Sequence, residues 1–272
     1  TSLSAATFIG VPQIAYQGNL TYLILNIGGV LAAFVVAFVL IPPIYRAGTT
    51  TIYGYLGQRF GEGASLAASV MFLVGRLLAS GARLFIAAIA FALMLYGKTS
   101  TEYLILAILI LGVIGTLYTV CGGIKAVIWT DTIQIAVVVF AAGLSIYLLL
   151  KAIPLPFSEL TAVWRNSGGM DKLRVVDLRP DLSVDYTLWS GIIASTFVST
   201  ACFGTDHDLA QRMMTAKSPF RGGLAIIASN ILAIPVVVLF LFIGLLLHVY
   251  YGRPDLMGAA APLDVIVDTK RV

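Results

Sequence analysis

Three ionisable residues lie inside long apolar stretches of the 272-residue chain: Arg76, Arg83 and Asp131. A charged side chain near the centre of a membrane helix costs at least about 2.5–3.5 kcal/mol, so such residues usually face the protein interior beside a substrate, an ion or a partner. The flat guanidinium of Arg83 is suited to hold a substrate carboxylate through two parallel hydrogen bonds. Its alternatives are an ion pair with Asp131 and hydrogen bonds to helix-end carbonyls. Arg76 either has a functional role, reaches the membrane surface or bonds a carbonyl.

Asp131 is surrounded by other oxygen-bearing side chains, those of Thr130, Thr132 and Gln134. Hard oxygen ligands suit a cation such as sodium, and a carboxylate at membrane depth also serves in proton relays. Asp131 lies about 10 Å into the helix predicted to follow the glycine pair at 122–123. An acid favoured by the helix dipole and a fixed salt bridge are therefore open alternatives.

The composition predicts that these residues sit in an integral membrane protein. The chain is 59% hydrophobic and 11% charged, whereas a soluble domain has about 25% charged residues. Its net charge of +4 is small, and lysine and arginine form no clustered run. Nucleic acid is therefore excluded as a partner, and the lipid bilayer is the expected environment.

The apolar segments have the length of membrane helices, because about 30 Å of hydrocarbon takes roughly 20 mostly apolar residues in a helix. Five segments qualify, at residues 20–45, 64–96, 102–120, 124–152 and 221–250. Residues 2–16 and 186–205 form two shorter segments that are rich in hydroxyl side chains and glycine. In transporters, a pair of interrupted helices marks the substrate site. The alternative is that these small residues serve tight contacts between helices.

The short loops predict the orientation of the chain. If the loop after residues 20–45 is cytoplasmic, six basic residues fall on that side: Arg46, Arg59, Lys125, Arg212, Lys217 and Arg221. The facing short loop holds only Lys98, in agreement with the positive-inside rule. Residues 153–185 are then an external loop of a single transmembrane domain covering 1–272. Because the chain begins without methionine and ends in a polar stretch, we expect it to be an internal fragment of a longer transporter.

Several motifs resemble the sodium:solute symporter family. The stretch YTVCGGIKAVIWTDTIQ at 118–134 resembles the family pattern YT-x-x-GG-[IFL]-x-x-V-x-WTD-x-x-Q. Three further blocks follow the family order: TTTIYGYLGQRFG at 49–61, ASGARLF at 79–85 and GTDHDLAQRMMTAKS at 204–218. The resemblance covers essentially the whole chain.

The resemblance implies an all-α integral membrane fold, the LeuT-like inverted repeat of five plus five helices. Only about core helices 1b to 7 would be present in this chain. Residues 2–16 would form the outer half of core helix 1, and residues 186–205 would form core helix 6. Core helices 8 to 10 would follow Val272.

The same resemblance implies a set of binding residues. The start, TSLSAATFIGVP at 1–12, is similar to the TLSS-x-TF segment of sodium/sialic acid symporters. The implied solute-binding residues are Ser2, Ser4, Thr7, Tyr22, Asn26, Arg83 and Phe203. For sodium, the resemblance implies the backbone carbonyl of Leu3 at the main site and Asp131 at a second site. The other main-site ligands belong to core helix 8.

Departures from the sialic acid pattern broaden the expected substrate. Asn26 stands where those symporters have glutamine, Tyr22 stands where they have phenylalanine, and the helix 6 region lacks their paired glutamines. We therefore expect a small organic solute that bears a carboxylate, and sialic acid is one candidate.

The predicted function is sodium-coupled symport by alternating access, with Na⁺, a small organic solute and the lipid bilayer as partners. An enzyme is not expected, because the chain shows no catalytic pair facing a common cavity. A transporter-like sensor module of a larger signalling protein, a symporter for a neutral solute such as a sugar, and a channel are alternatives. The expected location is a bacterial plasma (inner) membrane, and the oligomeric state is open.

Overall fold

The computed structural model describes residues 5–49, 51–167, 169–181, 184–214, 216 and 218–257. Within these ranges the chain is helical, and the only strand-like pairing is an isolated bridge between Ser167 and Met170. The α-helices of the described ranges are α1 Ala5–Gln17, α2 Leu23–Val35, α3 Ile41–Arg46, α4 Ile52–Phe60, α5 Glu62–Tyr96, α6 Thr101–Ala152, α7 Phe157–Arg165, α8 Ser195–Thr205, α9 His207–Met214 and α10 Pro219–Gly252.

The predicted membrane spans are confirmed in number and place. Among the described residues, five stretches are long and apolar enough to cross a membrane: Leu23–Arg46, Glu62–Tyr96, Thr101–Gly122, Trp129–Ala152 and Pro219–Gly252. Each agrees with one predicted segment to within a few residues, because the length of the apolar run sets the length of the helix.

The main difference from the sequence-based expectation lies in α6. We predicted two helices, at 102–120 and 124–152, with a break at the glycine pair 122–123, and the structure forms one helix of 52 residues. Glycine lowers helix propensity by only about 1 kcal/mol and keeps its N–H, so the ladder of backbone hydrogen bonds continues. The two halves still have different partners, since Ala107 packs against α5 and Ala142 packs against α10.

A straight helix cannot cross the bilayer twice. We therefore expect the continuous helix α6 of the structure to fold back near residues 122–123 in the bilayer, so that its two halves cross separately. At 1.5 Å per residue α6 is about 78 Å long, more than twice the hydrocarbon thickness of about 30 Å. A single crossing would leave one of its two apolar stretches in water, at roughly 1.5–3 kcal/mol for each large side chain. Separate crossings place Lys98 and Lys151 outside and Lys125 inside. Labelling single cysteines at these positions with a membrane-impermeant maleimide tests this, and label on opposite faces for 98 and 151 contradicts it.

Within the described residues, the two segments predicted to be interrupted form continuous helices with local irregularities. Helix α1 runs through Pro12. Residues Ser190–Ala194 form a π-helical turn that leads directly into α8. A second π-helical turn, Val36–Leu40, joins α2 to α3. A π turn widens a helix without ending it and is frequent at functional sites.

Helices α2 and α8 run parallel and touch through small residues. The Oγ of Ser195 donates to the carbonyl of Leu25 at 2.8 Å. A Cβ at Gly28 would overlap the carbonyl oxygen of Gly191 and lie 2.7 Å from the Cβ of Ser195. Further along, Gly204 faces Leu40. Ser195, Gly191 and Gly204 of the segment 186–205 thus serve a tight helix contact, in agreement with the alternative interpretation for these three residues.

The buried apolar side chains form two main clusters. The outer cluster joins α1, α6, α7 and α10, with Trp164, Phe240 and Leu246 at its centre. The inner cluster joins the end of α2, α3, α9 and the start of α10, around Ile41 and Met213. The hydroxyl of Tyr45 donates to the carbonyl of Met213 at 2.6 Å and fixes α9 to this inner cluster.

The connection predicted to be external carries its own ion-pair network around Asp177. The Asp177 side chain is 5% exposed and lies 2.6 Å from Arg179 Nη2 and 2.8 Å from Arg174 Nη2. Hydrogen bonds from the side chain and backbone of Arg179, with a smaller contribution from Arg174, lower the pKa of Asp177 to about 2. Its carboxylate therefore stays ionised at neutral pH, and its backbone carbonyl accepts from the N–H of Leu188 just before α8.

Candidate functional site

A cavity of about 640 Å³ lies between α1, α5, α6 and α10. Most of its wall is apolar, and its aromatic residues include Phe8 and Phe240, whose rings meet edge to face at 5.4 Å. Asp131 and Gln134 of α6 bring polar groups to the same wall. Pockets of about 300–1,000 Å³ with mostly apolar walls and a few polar groups are typical of small-molecule sites.

Arg83 lies on the face of α5 that turns toward this cavity. Ala87, Ala90 and Met94 line the cavity, and Arg83 precedes them at helical spacings of four, seven and eleven residues. The Arg83 side chain is exposed. It forms no hydrogen bond or ion pair with any residue that the structure describes. The predicted alternative of an ion pair between Arg83 and Asp131 is therefore not found.

The other arginine predicted to lie at membrane depth has a defined partner. Arg76 Nη1 lies 3.2 Å from Asp206 Oδ2, and both side chains are partly buried. Asp206 also accepts from the N–H of Leu209 at 3.3 Å, which caps the start of α9. The ion pair therefore fixes α5 to the end of α8, and the Asp206 carboxylate supplies the counter-charge for Arg76.

The remaining predicted site residues are distributed over the bundle. Thr7 is half-buried beside Phe8. The ring of Tyr22 meets that of Tyr186 edge to face at 5.5 Å, and the amide of Asn26 donates to the carbonyl of Leu23 in its own helix at 3.4 Å. Ser2, Leu3 and Ser4 lie outside the described residues.

Phe203 lies apart from these residues, in a narrow apolar pocket of the inner cluster beside Leu40 and Tyr45. Tyr186 precedes the start of α8 and Phe203 is near its end, so the rise of the helix separates the two by about 20 Å or more. The structure thus places Asp131 on the wall of the cavity. Arg83 lies one turn before the lining residue Ala87 and is not itself part of the wall, and neither are Tyr22, Asn26 and Phe203. Their roles in solute binding stay predictions.

Sequence reasoning missed two polar contacts that organise the bundle. The pairing of Arg76 with Asp206 joins residues 130 positions apart. The ammonium of Lys172 reaches back to the end of α1, more than 150 positions earlier. The only signal in the sequence was the cost of placing Arg76 at membrane depth, and Lys172 stood in a loop of mixed charge.

The profile of the sodium:solute symporter family matches residues 1–269. The chain belongs to this family. The human sodium/iodide cotransporter is 28% identical over 264 residues, which are 96% of this chain and 40% of that protein. The human sodium-coupled monocarboxylate transporter 1 is 27% identical over 277 residues, 98% of this chain and 44% of that protein. These relatives are transporters, in agreement with the prediction that the chain is not an enzyme.

A further relative in the family is a putative sodium-dependent multivitamin transporter of Drosophila melanogaster, 32% identical over 79% of this chain and 34% of that protein. The chain spans less than half the length of these relatives. Among solved structures, a substrate-bound, outward-open Na⁺-coupled sialic acid symporter matches 94% of this chain and 52% of its own, with a TM-score of 0.81 and 24% identity. This likeness confirms the predicted LeuT-like fold and the prediction that the chain carries about half of it.

Proposed function

We propose that the protein containing this chain is a sodium-coupled symporter for a small organic solute that bears a carboxylate. The family and the names of the relatives support sodium coupling. Iodide, monocarboxylates and sialic acid are anions or acids, and these are the cargoes that three of the matched proteins are named for. We retain a bacterial inner membrane as the proposed location.

The observation that carries the carboxylate proposal is the position of Arg83. This residue lies on the same face of α5 as the lining residues Ala87, Ala90 and Met94, one turn before the first of them, and has no polar partner among the described residues. A permanently charged group at membrane depth is costly unless a counter-charge meets it. A carboxylate that binds in the cavity supplies that charge, and the planar guanidinium matches its two oxygens.

Sodium is the second substrate in this proposal. The Asp131 carboxylate on the cavity wall provides a hard oxygen ligand for one ion, and the carbonyl of Leu3 would belong to the other site. Coupling requires that sodium bind more tightly to the outward-facing state that accepts the solute. By linkage, the solute then raises the affinity for sodium by the same factor.

Uptake into proteoliposomes that contain the full-length protein tests the proposal. An inward sodium gradient is expected to drive accumulation of carboxylates from a panel that also holds their amides and simple sugars. A potassium gradient of the same size and protein-free liposomes are the controls. Accumulation of a sugar but not of carboxylates would contradict the substrate class. A sodium current without any solute would indicate a channel and contradict symport.

The voltage dependence of uptake tests the role of Asp131. One sodium ion with a singly charged anion moves no net charge, whereas a second sodium ion makes transport electrogenic. That second ion contributes about 2.3 kcal/mol at 100 mV, which is about a fiftyfold change in accumulation. We expect Asp131→Asn to remove this voltage dependence while sodium-gradient uptake persists. Unchanged voltage dependence in Asp131→Asn would show that the aspartate is not a sodium ligand.

A further inference from the structure

The outer end of α1 is closed by a single lysine from the long loop. Helix α1 ends at Gln17, and the last carbonyls of a helix have no partner within it. The Nζ of Lys172 donates to the carbonyl of Tyr16 at 2.8 Å, of Gly18 at 2.9 Å and of Ala15 at 3.4 Å. All three ammonium hydrogens therefore have an acceptor at this helix end.

Lys172 is buried, which is unusual for a lysine in a loop. The residue is 3% exposed, and this loss of hydration lowers the pKa of its ammonium. A cation at the C-terminus of a helix is favoured by the helix dipole, and the three carbonyls replace the lost water. Burial of a charged side chain that is fully hydrogen-bonded ties the loop to one exact position on α1.

The segment that carries Lys172 is itself fixed to α10. The N–H of Lys172 donates to the carbonyl of Trp164 at 2.9 Å. Trp164 is 1% exposed, and its Nε1 donates to the carbonyl of Leu245 at 3.0 Å. The Oγ of Ser167 also hydrogen-bonds Nε2 of His248 at 2.7 Å. Lys172 therefore ties the C-terminal end of α1 to a segment held on α10, in addition to the direct contacts of α1 with α10 at Phe240 and Gly244.

We propose that Lys172 is a positioning residue for the solute and sodium sites, because its three hydrogen bonds hold the C-terminal end of α1 in place. The proposal rests on the proposed function of the cavity, whose wall α1 supplies through Phe8 and Ile9. Helix α1 continues through Pro12, and Phe8 and Ile9 lie about 12–14 Å along it from the end that Lys172 holds, so a displacement of that end is carried to them. Loss of the Lys172 ammonium therefore changes the binding of solute and sodium, although Lys172 does not line the cavity.

The test uses Lys172→Met in the full-length protein, since methionine keeps most of the length and loses the charge. We expect the KM for sodium and for the solute to rise about tenfold, with the maximal rate nearly unchanged. Hydrogen–deuterium exchange is expected to rise at residues 13–18 and to stay unchanged in α5. A KM equal to that of the wild type, or faster exchange spread evenly over all helices, would overturn the positioning role.

A rescue variant separates positioning from folding. In Lys172→Cys, alkylation with 2-bromoethylamine restores an ammonium at nearly the length of lysine. Both the KM and the exchange at 13–18 are expected to return toward wild-type values. Wild-type protein treated in the same way controls for reaction at Cys121 and Cys202. If Lys172→Met does not fold, the comparison of Lys172→Cys before and after alkylation replaces it. Alkylation without recovery of either value overturns the proposal.

The exchange measurement needs no transport. If the wild-type protein shows no sodium-dependent uptake, the proposed function fails, while protection of 13–18 by Lys172 is still decided by exchange alone.

Discussion

Replacing Arg83 with alanine is expected to abolish carboxylate uptake while the protein remains folded and inserted in the membrane. The side chain is exposed and bonds no described residue, so its removal leaves no partner unpaired. A hydrogen bond to a charged group contributes about 1.5–3 kcal/mol, so losing a bidentate pair lowers the affinity for a carboxylate by roughly 100-fold to 10,000-fold. Initial rates of uptake in proteoliposomes, normalised to the amount of inserted protein, measure this effect.

Two matched variants interpret the Arg83 result. Arg83→Lys keeps the charge but loses the planar pair of donors, so an intermediate affinity is expected. Arg221→Ala removes an exposed arginine at the start of α10, far from the cavity, and should transport normally. Wild-type uptake by Arg83→Ala would exclude the carboxylate clamp. Equal loss in Arg83→Ala and Arg221→Ala would indicate a general effect of charge on insertion.

Gly244→Ala is expected to separate α1 from α10 and to destabilise the bundle. A Cβ at Gly244 would overlap the carbonyl oxygen of Pro12 and lie 2.9 Å from the Cβ of Ala15. The oxygen belongs to the backbone, and Ala15 is fully buried, so neither atom can turn away and one helix must move. Overpacking of this kind costs typically about 1–3 kcal/mol. Gly244→Leu should not be recovered as folded protein.

The apparent melting temperature in detergent measures the Gly244 effect, and Gly143→Ala is the matched control. Gly143 also lies in a membrane helix, but a Cβ there would meet no atom within 4 Å. Because alanine has the higher helix propensity, Gly143→Ala should be neutral or mildly stabilising. Equal melting temperatures for Gly244→Ala and the wild type would show that α1 and α10 are not packed backbone to backbone.

The sequence predicts the spans well because the number of apolar residues and the bilayer thickness together determine a helix length. It also singles out Arg83 and Asp131 as exceptional residues, since the cost of a charge at membrane depth can be estimated without a fold. The glycine pair at 122–123 predicts a break in α6 that the structure does not form, because glycine weakens a helix without removing a hydrogen bond. The length of α6 still requires the chain to fold back there in a bilayer. Lys172 was missed because its carbonyl partners at the end of α1 carry no signature in their side chains.

The placement of Phe203 shows a further limit. The family resemblance implies a solute-binding role for Phe203 only if the residue occupies the same face of α8 as in the relatives. That face depends on every helical turn between Trp189 and Phe203. The π-helical turn Ser190–Ala194 changes the count within this interval. Tyr22, at the start of α2, precedes both π-helical turns, so they do not affect its position in the count. Its ring nevertheless contacts Tyr186, and no spacing in the sequence predicts that contact.

The two π-helical turns have a consequence for comparing members of the family. A π turn holds one residue more than the α-helical turn it replaces, so all later side chains are rotated by about 100° relative to an uninterrupted α-helix. A homologue that lacks the turn at Val36–Leu40 or at Ser190–Ala194 therefore needs a one-residue gap in its alignment to this chain. Without that gap, every residue equated beyond the turn points in a different direction in the two proteins.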